Sequence, residues 1–307
     1  MTPPRVVAFR GFINRYFPVD FKIPNWHIID YDDPLKESAD AFFQINVKKS
    51  KTKAAPEYDY ITQANKPTLV CESNPFRKNI LPVGDLENHY YRLGWGHFLR
   101  QGNFNNKNSP PDRWNHIKKL QKLEVKDWRL KGEHILLLLQ KGGDSTLNKM
   151  YADYGTYYNW IDETITNIRK YTDRPIVIRP HVHKAKVPFK QFVSKENKVS
   201  ISEVFHQRNK MEGGESLEHD LKNAWAVVGY NSNALVESTF EGIPSFPLSD
   251  ESIVWDISNQ NKLENIENPN INIDRTQWCH DAGYMIWNSN ELNNGVAWEH
   301  LKGVYFD

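Results

Sequence analysis

The chain has 307 residues, 39% hydrophobic and 25% charged, a globular balance that excludes a disordered protein and leaves room for two domains with separate cores. Its 39 Lys and Arg against 38 Asp and Glu give a formal net charge of +1, which excludes a global field drawing it onto nucleic acid or an anionic membrane. Two cysteines, Cys71 and Cys279, make no disulfide framework or metal motif; with no signal-peptide core in Met1–Arg10 and no apolar run near the ~20 residues of a membrane span, a soluble, cytoplasmic protein is expected.

In the first half, Arg5 to Phe9, Trp26 to Ile29 and Thr68 to Cys71 read as strands. Pro34 to Val47 carries helical spacing of apolar residues, and Lys48 to Pro56 reads as a basic loop. From Tyr90 to Trp114 the chain is aromatic, rich in glycine and asparagine, and predicted irregular. Long irregular segments in compact domains are usually functional or disordered, and so many aromatics argue against disorder. The 10 Trp, 14 Tyr and 15 Phe otherwise serve mainly to fill cores.

The second half is more regular. His134 to Gln140 is a nearly continuous apolar run, as expected of a strand buried on both faces in a parallel sheet. It ends in Lys141-Gly142-Gly143-Asp144-Ser145. A helix over Tyr158–Tyr171 follows, then a strand over Ile176–Ile178 ending in Arg179-Pro180-His181, and a short strand over Val199–Val204. Ser216 is a candidate cap for a helix over Leu217–Ala224. A strand over Trp225–Val228 leads through Asn231-Ser232-Asn233 into a helix over Ala234–Glu241, stopped by Gly242 and followed by a strand over Ser245–Leu248. Alternating strands and helices at this spacing predict a doubly wound α/β domain. After Asn272 two helices are expected, Arg275–Trp287 and Asn290–Leu301, with no strand between them. The domain boundary is expected near Lys119–Lys131, giving domains of 1–125 and 126–270 and a helical tail of 271–307.

Ligands of doubly wound sheets sit beyond the carboxyl ends of the strands, and three such ends carry suitable chemistry. Glycines at 142 and 143 allow close backbone approach to phosphate, with Lys141 adding a cation, although the spacing fits neither standard phosphate fingerprint. Arg179 and His181 are placed to meet a diphosphate, or else to pair locally; His181 with His183 lacks a third metal ligand. Ser232 and Asn233 open a helix whose N–H groups attract anions, and Glu237 suits ribose hydroxyls, or simply compensates the helix dipole.

The segment Asn231-Ser-Asn-Ala-Leu-Val-Glu-Ser-Thr-Phe-Glu-Gly-Ile-Pro244 resembles the donor-site helix of GT-B glycosyltransferases, and Ile176 to His181 is similar to the preceding strand of those enzymes and of capsule-type sugar transferases. Gly94 to Trp114 and the tail Arg275–Trp298 resemble glycosyltransferase-like proteins of tailed bacteriophages. The resemblance implies two Rossmann-like domains facing a cleft, with C-terminal helices that cross back to an acceptor-binding first domain. It implies no tightly bound cofactor, no required metal, and a nucleotide-sugar co-substrate, by default a UDP-sugar. Lys141, Gly142, Gly143, Arg179, His181, Ser232, Asn233 and Glu237 would hold that donor. The pattern departs from many retaining members in having Glu237 alone between Asn231 and Ser238 and the bulky Tyr230 before it, which leaves retention or inversion open.

An inverting enzyme needs a general base, for which His97, Asp112 and Asp144 are the candidates. The acceptor is a glycan by default. The phage resemblance adds a hydroxymethylated pyrimidine in DNA, with the host cytoplasm as the compartment and Lys48 to Lys53, Lys118, Lys119 and Lys122 as phosphate contacts. Three rival readings stand beside this one: metal-dependent transfer through Asp30-Tyr31-Asp32, a nucleotide-sugar epimerase of the same fold, and a non-catalytic carbohydrate-binding protein using the aromatic surface.

Overall fold

The computed structural model describes residues 3–17, 22–47, 56–76, 90–181, 189–204 and 215–306. They fall into two units, one from the described residues of Met1–Pro75, Ile80–Leu120 and Thr276–Asp307, the other from those of Phe76–Asn79 and Gln121–Arg275.

In chain order the elements are β1 (Val6–Phe9), α1 (Arg10–Tyr16), β2 (Trp26–Ile29), β3 (Ala41–Ile45), α2 (Pro56–Ala64), β4 (Thr68–Ser73), β5 (Tyr90–Trp95) and α3 (Asp112–Leu120). The chain continues with β6 (His134–Leu138), α4 (Asn148–Tyr154), α5 (Tyr157–Arg169), β7 (Ile176–Arg179), β8 (Val199–Ile201), α6 (Glu215–Lys222), β9 (Ala224–Gly229), α7 (Ala234–Phe240) and β10 (Ser245–Pro247). It closes with α8 (Thr276–Gly283), β11 (Ile286–Asn288), α9 (Ser289–Asn293) and α10 (Val296–Lys302). No described helix is long and apolar enough to cross a membrane.

The first unit is built on a six-stranded sheet of order β11-β5-β4-β3-β1-β2. β2, β1, β3 and β4 run parallel, while β5 runs antiparallel to β4, and β11 to β5. Three expectations are corrected here. The helix over Pro34–Val47 is a single 3-10 turn over Pro34–Ser38, capped by Asp33, followed by β3. β3 lies between β1 and β4 with all five residues buried, and a short, largely apolar run buried on both faces has no period to tell strand from helix. The irregular stretch begins with β5 and ends in α3, and its middle is held by paired N–H to C=O bonds between Trp95 and Asn103 at 2.8 and 3.0 Å. The tail is not purely helical: β11 pairs with β5, and Gly295, at φ +85°, separates α9 from α10. Ile286–Asn288 is a strand through its long-range pairing with β5, which no local pattern of the tail announces.

The tail is sewn to this unit by specific bonds. Trp95 Nε1 donates to the Leu301 carbonyl at 2.8 Å, and Asp281 accepts from the Ser109 N–H at 2.8 Å. The Arg113 guanidinium lies 3.8 Å from the Trp287 ring centre, bonds Glu291 through two nitrogens, and donates to the Ile286 carbonyl at 2.8 Å. Stacking and a forked ion pair together use both the face and the edge of the guanidinium.

The second unit carries a five-stranded sheet, parallel throughout, of order β10-β9-β6-β7-β8. Ile135, Leu137, Ile176, Ile178, Ala226 and Val228 pack on one face with Trp160, Ile161 and Ile168 of α5. α7 covers the other face, with Leu235 beside Gly229. α5 is capped by Thr156, which accepts from the Asn159 N–H at 3.1 Å. α6 begins at Glu215, so Ser216 lies inside it rather than at its cap.

Gly242 ends α7 at φ +73°, and an added Cβ would lie 2.0 Å from the Asp127 carbonyl oxygen. That backbone contact cannot relax like a side chain, because Lys126 and Arg129 donate their N–H groups to the carbonyls of Phe240 and Gly242 at 2.8 Å each. Gly242→Ala is therefore expected to cost about 2–3 kcal/mol, read as a lower urea midpoint at unchanged slope.

Candidate functional site

In the second unit the chain places β7 and β8 to one side of β6, then β9 and β10 to the other. Such a reversal leaves a crevice beyond the carboxyl ends of the two strands that flank it, here β6 and β9. Three loops meet there. Gln140, just past β6, has its main chain closed by one hydroxyl: Tyr157 donates to the Gln140 carbonyl at 2.6 Å and accepts from its N–H at 2.8 Å. Burial pushes the Tyr157 hydroxyl well above its ordinary pKa, so it stays protonated and keeps the donated bond.

The Gln140 side chain turns toward the loop after β9. Its Nε2 donates to Asn231 Oδ1 at 2.8 Å and to Thr146 Oγ1 at 3.1 Å, and its Oε1 accepts from the Asn231 N–H at 3.1 Å. Asn231 Nδ2 donates in turn to the Thr146 carbonyl at 2.8 Å. The loop after β10 joins through the Ser249 N–H to the Tyr230 carbonyl at 3.2 Å and through the ion pair of Lys149 with Asp250 at 2.5 Å.

Of the residues singled out in the sequence, Lys141, Gly142, Gly143, Asp144, Ser232 and Asn233 are brought to these joined loops. Lys141 to Asp144 form a turn closed by the Asp144 N–H on the Lys141 carbonyl at 3.1 Å, with Gly143 at φ +77° and its N–H donated to the Tyr151 hydroxyl at 2.9 Å. Lys141, Gly142 and Gly143 are exposed. Asp144 Oδ1 accepts from the Thr146 N–H and Oγ1 at 3.1 and 3.0 Å, capping its own turn. At the start of α7, Ser232 Oγ accepts from the Ala234 N–H at 3.3 Å, and the Leu235 and Val236 N–H groups bond the Ser232 and Asn233 carbonyls. Those first amides are thus satisfied within the chain. Glu237, half-buried, follows in the first turn.

Arg179 is deployed elsewhere. It is 8% exposed, and its guanidinium pairs with Asp220 of α6, itself 5% exposed. Ser202 Oγ lies 2.8 Å from both Asp220 oxygens. Arg179 thereby ties the carboxyl end of β7 to α6 instead of standing open to solvent. His181, two residues further on, is half-buried, and His183 lies outside the described residues. Gln140, Thr146 and Asp220 have no role in the sequence reading, and Asn231 enters it only as the start of the segment leading into α7. The available signals were a polar residue closing a wholly apolar strand and an acid beside Leu217 and Leu221 on the buried stripe of α6.

In the first unit, the carbonyl of His97 is packed so closely that a Cβ on Gly94 or Gly102 would fall 2.3 or 2.0 Å from it. His97 Nδ1 accepts from the Leu99 N–H at 3.0 Å, and its ring stacks on Phe98. Burial, reinforced by Arg92, lowers its pKa to about 4, so it is neutral at physiological pH. Asp112 is exposed at the start of α3, where Oδ1 accepts from the Tyr284 hydroxyl at 2.9 Å. Asp30 of the Asp30-Tyr31-Asp32 motif pairs with Arg10 at 3.2 Å on the surface. Among the described residues no group of three or more His, Cys, Asp or Glu is gathered to hold a metal ion. Lys118, Lys119 and Lys122 are exposed, while Lys48 to Lys53 lie outside the described residues.

No protein-family model matches this sequence, and no curated protein sequence matches it. Among solved structures it is similar to Thermosulfurimonas dismutans KpsC. The chain titled beta Kdo 2,4 transferase is 12% identical with a TM-score of 0.52, over 91% of this chain and 89% of that one. The chain titled beta Kdo 2,7 transferase is 11% identical with a TM-score of 0.46, over the same shares. The first likeness, at very low identity, shows a shared mixed α/β fold and nothing finer.

Proposed function

We propose that the protein is a glycosyltransferase of GT-B organisation, moving a sugar from a nucleotide-sugar to a hydroxyl of a saccharide acceptor. The observation that carries this reading is the meeting of loops at the carboxyl ends of β6 and β9, where an exposed Lys-Gly-Gly turn is joined through Gln140, Thr146 and Asn231 to the start of α7. The fold shared with a chain titled as a Kdo transferase supports it. In this reading Lys141 and the backbone of Gly142 and Gly143 meet the diphosphate, and Ser232 and Asn233 flank it. Glu237 takes the ribose. Arg179 contributes by holding β7 on α6 rather than by touching phosphate.

The first unit carries the acceptor. Asp112 is the proposed general base on its hydroxyl, being an exposed carboxylate oriented by Tyr284, whereas His97 is half-buried with Nδ1 occupied.

A thermal-shift screen against UDP-, GDP-, CMP- and dTDP-sugars tests the donor site and identifies the base together, because a ligand that binds only the folded state raises the melting temperature. A protein unmoved by all four at millimolar concentration is not this enzyme. Glu237→Ala is expected to weaken the responding nucleotide about 10-fold or more, with an unchanged melting temperature for the free protein. Unchanged affinity would remove Glu237 from the ribose. A saccharide acceptor further predicts acceptor affinity insensitive to salt; a steep salt dependence would point to DNA instead.

A further inference from the structure

We propose that Gln140 is a positioning residue for the donor site: its side-chain amide sets the distance between the turn at 141–144 and the junction at 231–233. The inference rests on the donor-site reading and concerns how that site keeps its shape. Gln140 itself is 9% exposed. Its main-chain N–H and C=O both engage Tyr157, so the base of the loop is fixed to α5. Its side chain then spends both ends on the facing loops, Nε2 on Asn231 Oδ1 and Thr146 Oγ1, and Oε1 on the Asn231 N–H. The pair is reciprocal across 91 residues of sequence and straddles the reversal point of the sheet.

The amide orientation is determined by its partners. Flipping it would set Nε2 against the Asn231 N–H and Oε1 against Asn231 Oδ1, two repulsive contacts. Thr146 extends the clamp, since its hydroxyl accepts from Gln140 and donates to Asp144 at 3.0 Å while its carbonyl accepts from Asn231. Every member faces another member, so the ligand-facing groups, Lys141 to Gly143 and Ser232, are left on a frame that does not itself contact ligand. A binding constellation loses affinity when its supporting bonds are loosened, even if no ligand contact is removed.

Gln140→Glu tests this. The substitution preserves size but replaces the donating Nε2 with an oxygen facing Asn231 Oδ1 and Thr146 Oγ1. A carboxylate there faces Asn231 Oδ1 with no hydrogen to share and can be met by the Thr146 hydroxyl only if that hydroxyl leaves Asp144, with Glu251 3.5 Å from Asn231 Nδ2 and the protonated Tyr157 on the main chain. Once protonated, the introduced carboxyl donates one hydrogen bond and restores part of the clamp. UDP, GDP, CMP and dTDP are titrated calorimetrically into the unaltered protein and into the Gln140→Glu and Gln140→Met variants at several pH values.

The expected result is a Kd raised about 10-fold in Gln140→Glu near neutral pH that returns toward the unaltered protein's value as pH falls toward about 5.5, and a Kd raised at every pH in Gln140→Met. If Gln140→Glu does not fold, Thr146→Val removes the hydroxyl of the same clamp and is expected to raise Kd several-fold. Variants with lowered melting temperature but unmoved Kd would overturn the proposal, showing Gln140 to support the fold alone and leaving the donor-site reading intact. Failure of the unaltered protein to bind any of the four nucleotides would overturn both.

Discussion

Asp112→Asn is expected to lower kcat by about 10²- to 10⁴-fold while leaving donor affinity unchanged, because an amide accepts the Tyr284 hydrogen bond as well as a carboxylate does but cannot take the acceptor's proton. The substitution is nearly isosteric and sits on an exposed first turn of α3, so the fold is not at stake. Steady-state rates with saturating donor, beside a calorimetric donor Kd, separate chemistry from binding. His97 sets the comparison. Its pKa of about 4 leaves it neutral but a poor proton acceptor at neutral pH, and its Nδ1 is already bonded, so His97→Gln should cost far less rate. If Asp112→Asn keeps activity within about threefold, the base lies elsewhere, and Asp144 is next to be replaced.

Asp220→Ala is expected to cost about 3–5 kcal/mol, the penalty for leaving a buried guanidinium without its counter-charge. Arg179 and Asp220 are 8% and 5% exposed, and Ser202 completes the site with contacts to both carboxylate oxygens. Replacing both charged partners with apolar residues of similar volume, Arg179→Met with Asp220→Leu, should recover most of that loss, since no unpaired charge then remains. Chemical denaturation of the single and double variants makes the comparison. A double variant as unstable as Asp220→Ala would mean that the ion pair is worth more than its desolvation cost. Nucleotide affinity of the folded double variant is expected to stay near that of the unaltered protein. A large loss would return Arg179 to the phosphate site.

The second unit was legible in sequence because its strands advertise themselves. Ile135 to Leu139 and Ala226 to Val228 are apolar runs buried on both faces, closed by Gln140 and Gly229 respectively. The exposed turn at 141–143 and the junction at 231–233 could be placed at carboxyl ends from strand order alone. What those ends do was harder to read. Arg179 has the residue type a phosphate site needs and stands at the right end of its strand, yet Asp220, distant in sequence and itself held by Ser202, claims it. The first unit resisted reading for a related reason. Ala41 to Ile45 is buried throughout and, with Gln44 among apolar neighbours, shows no period, and Ile286 to Asn288 becomes a strand only because β5 offers it an edge.

The amino-acid sequence by itself determined that the chain is a mixed α/β protein, where the strands of its second unit lie, and which turns are free of bulky side chains. Those properties depend on apolar spacing and backbone freedom within a few residues, which any stretch of chain carries with it. Tertiary structure alone decided that Ile286–Asn288 pairs with β5, that Arg179 is turned to α6, and that Gln140 and Asn231 form one clamp. A polar side chain has several partners of equal chemistry available along the chain, and only the packing that excludes water from most of them selects the one it keeps.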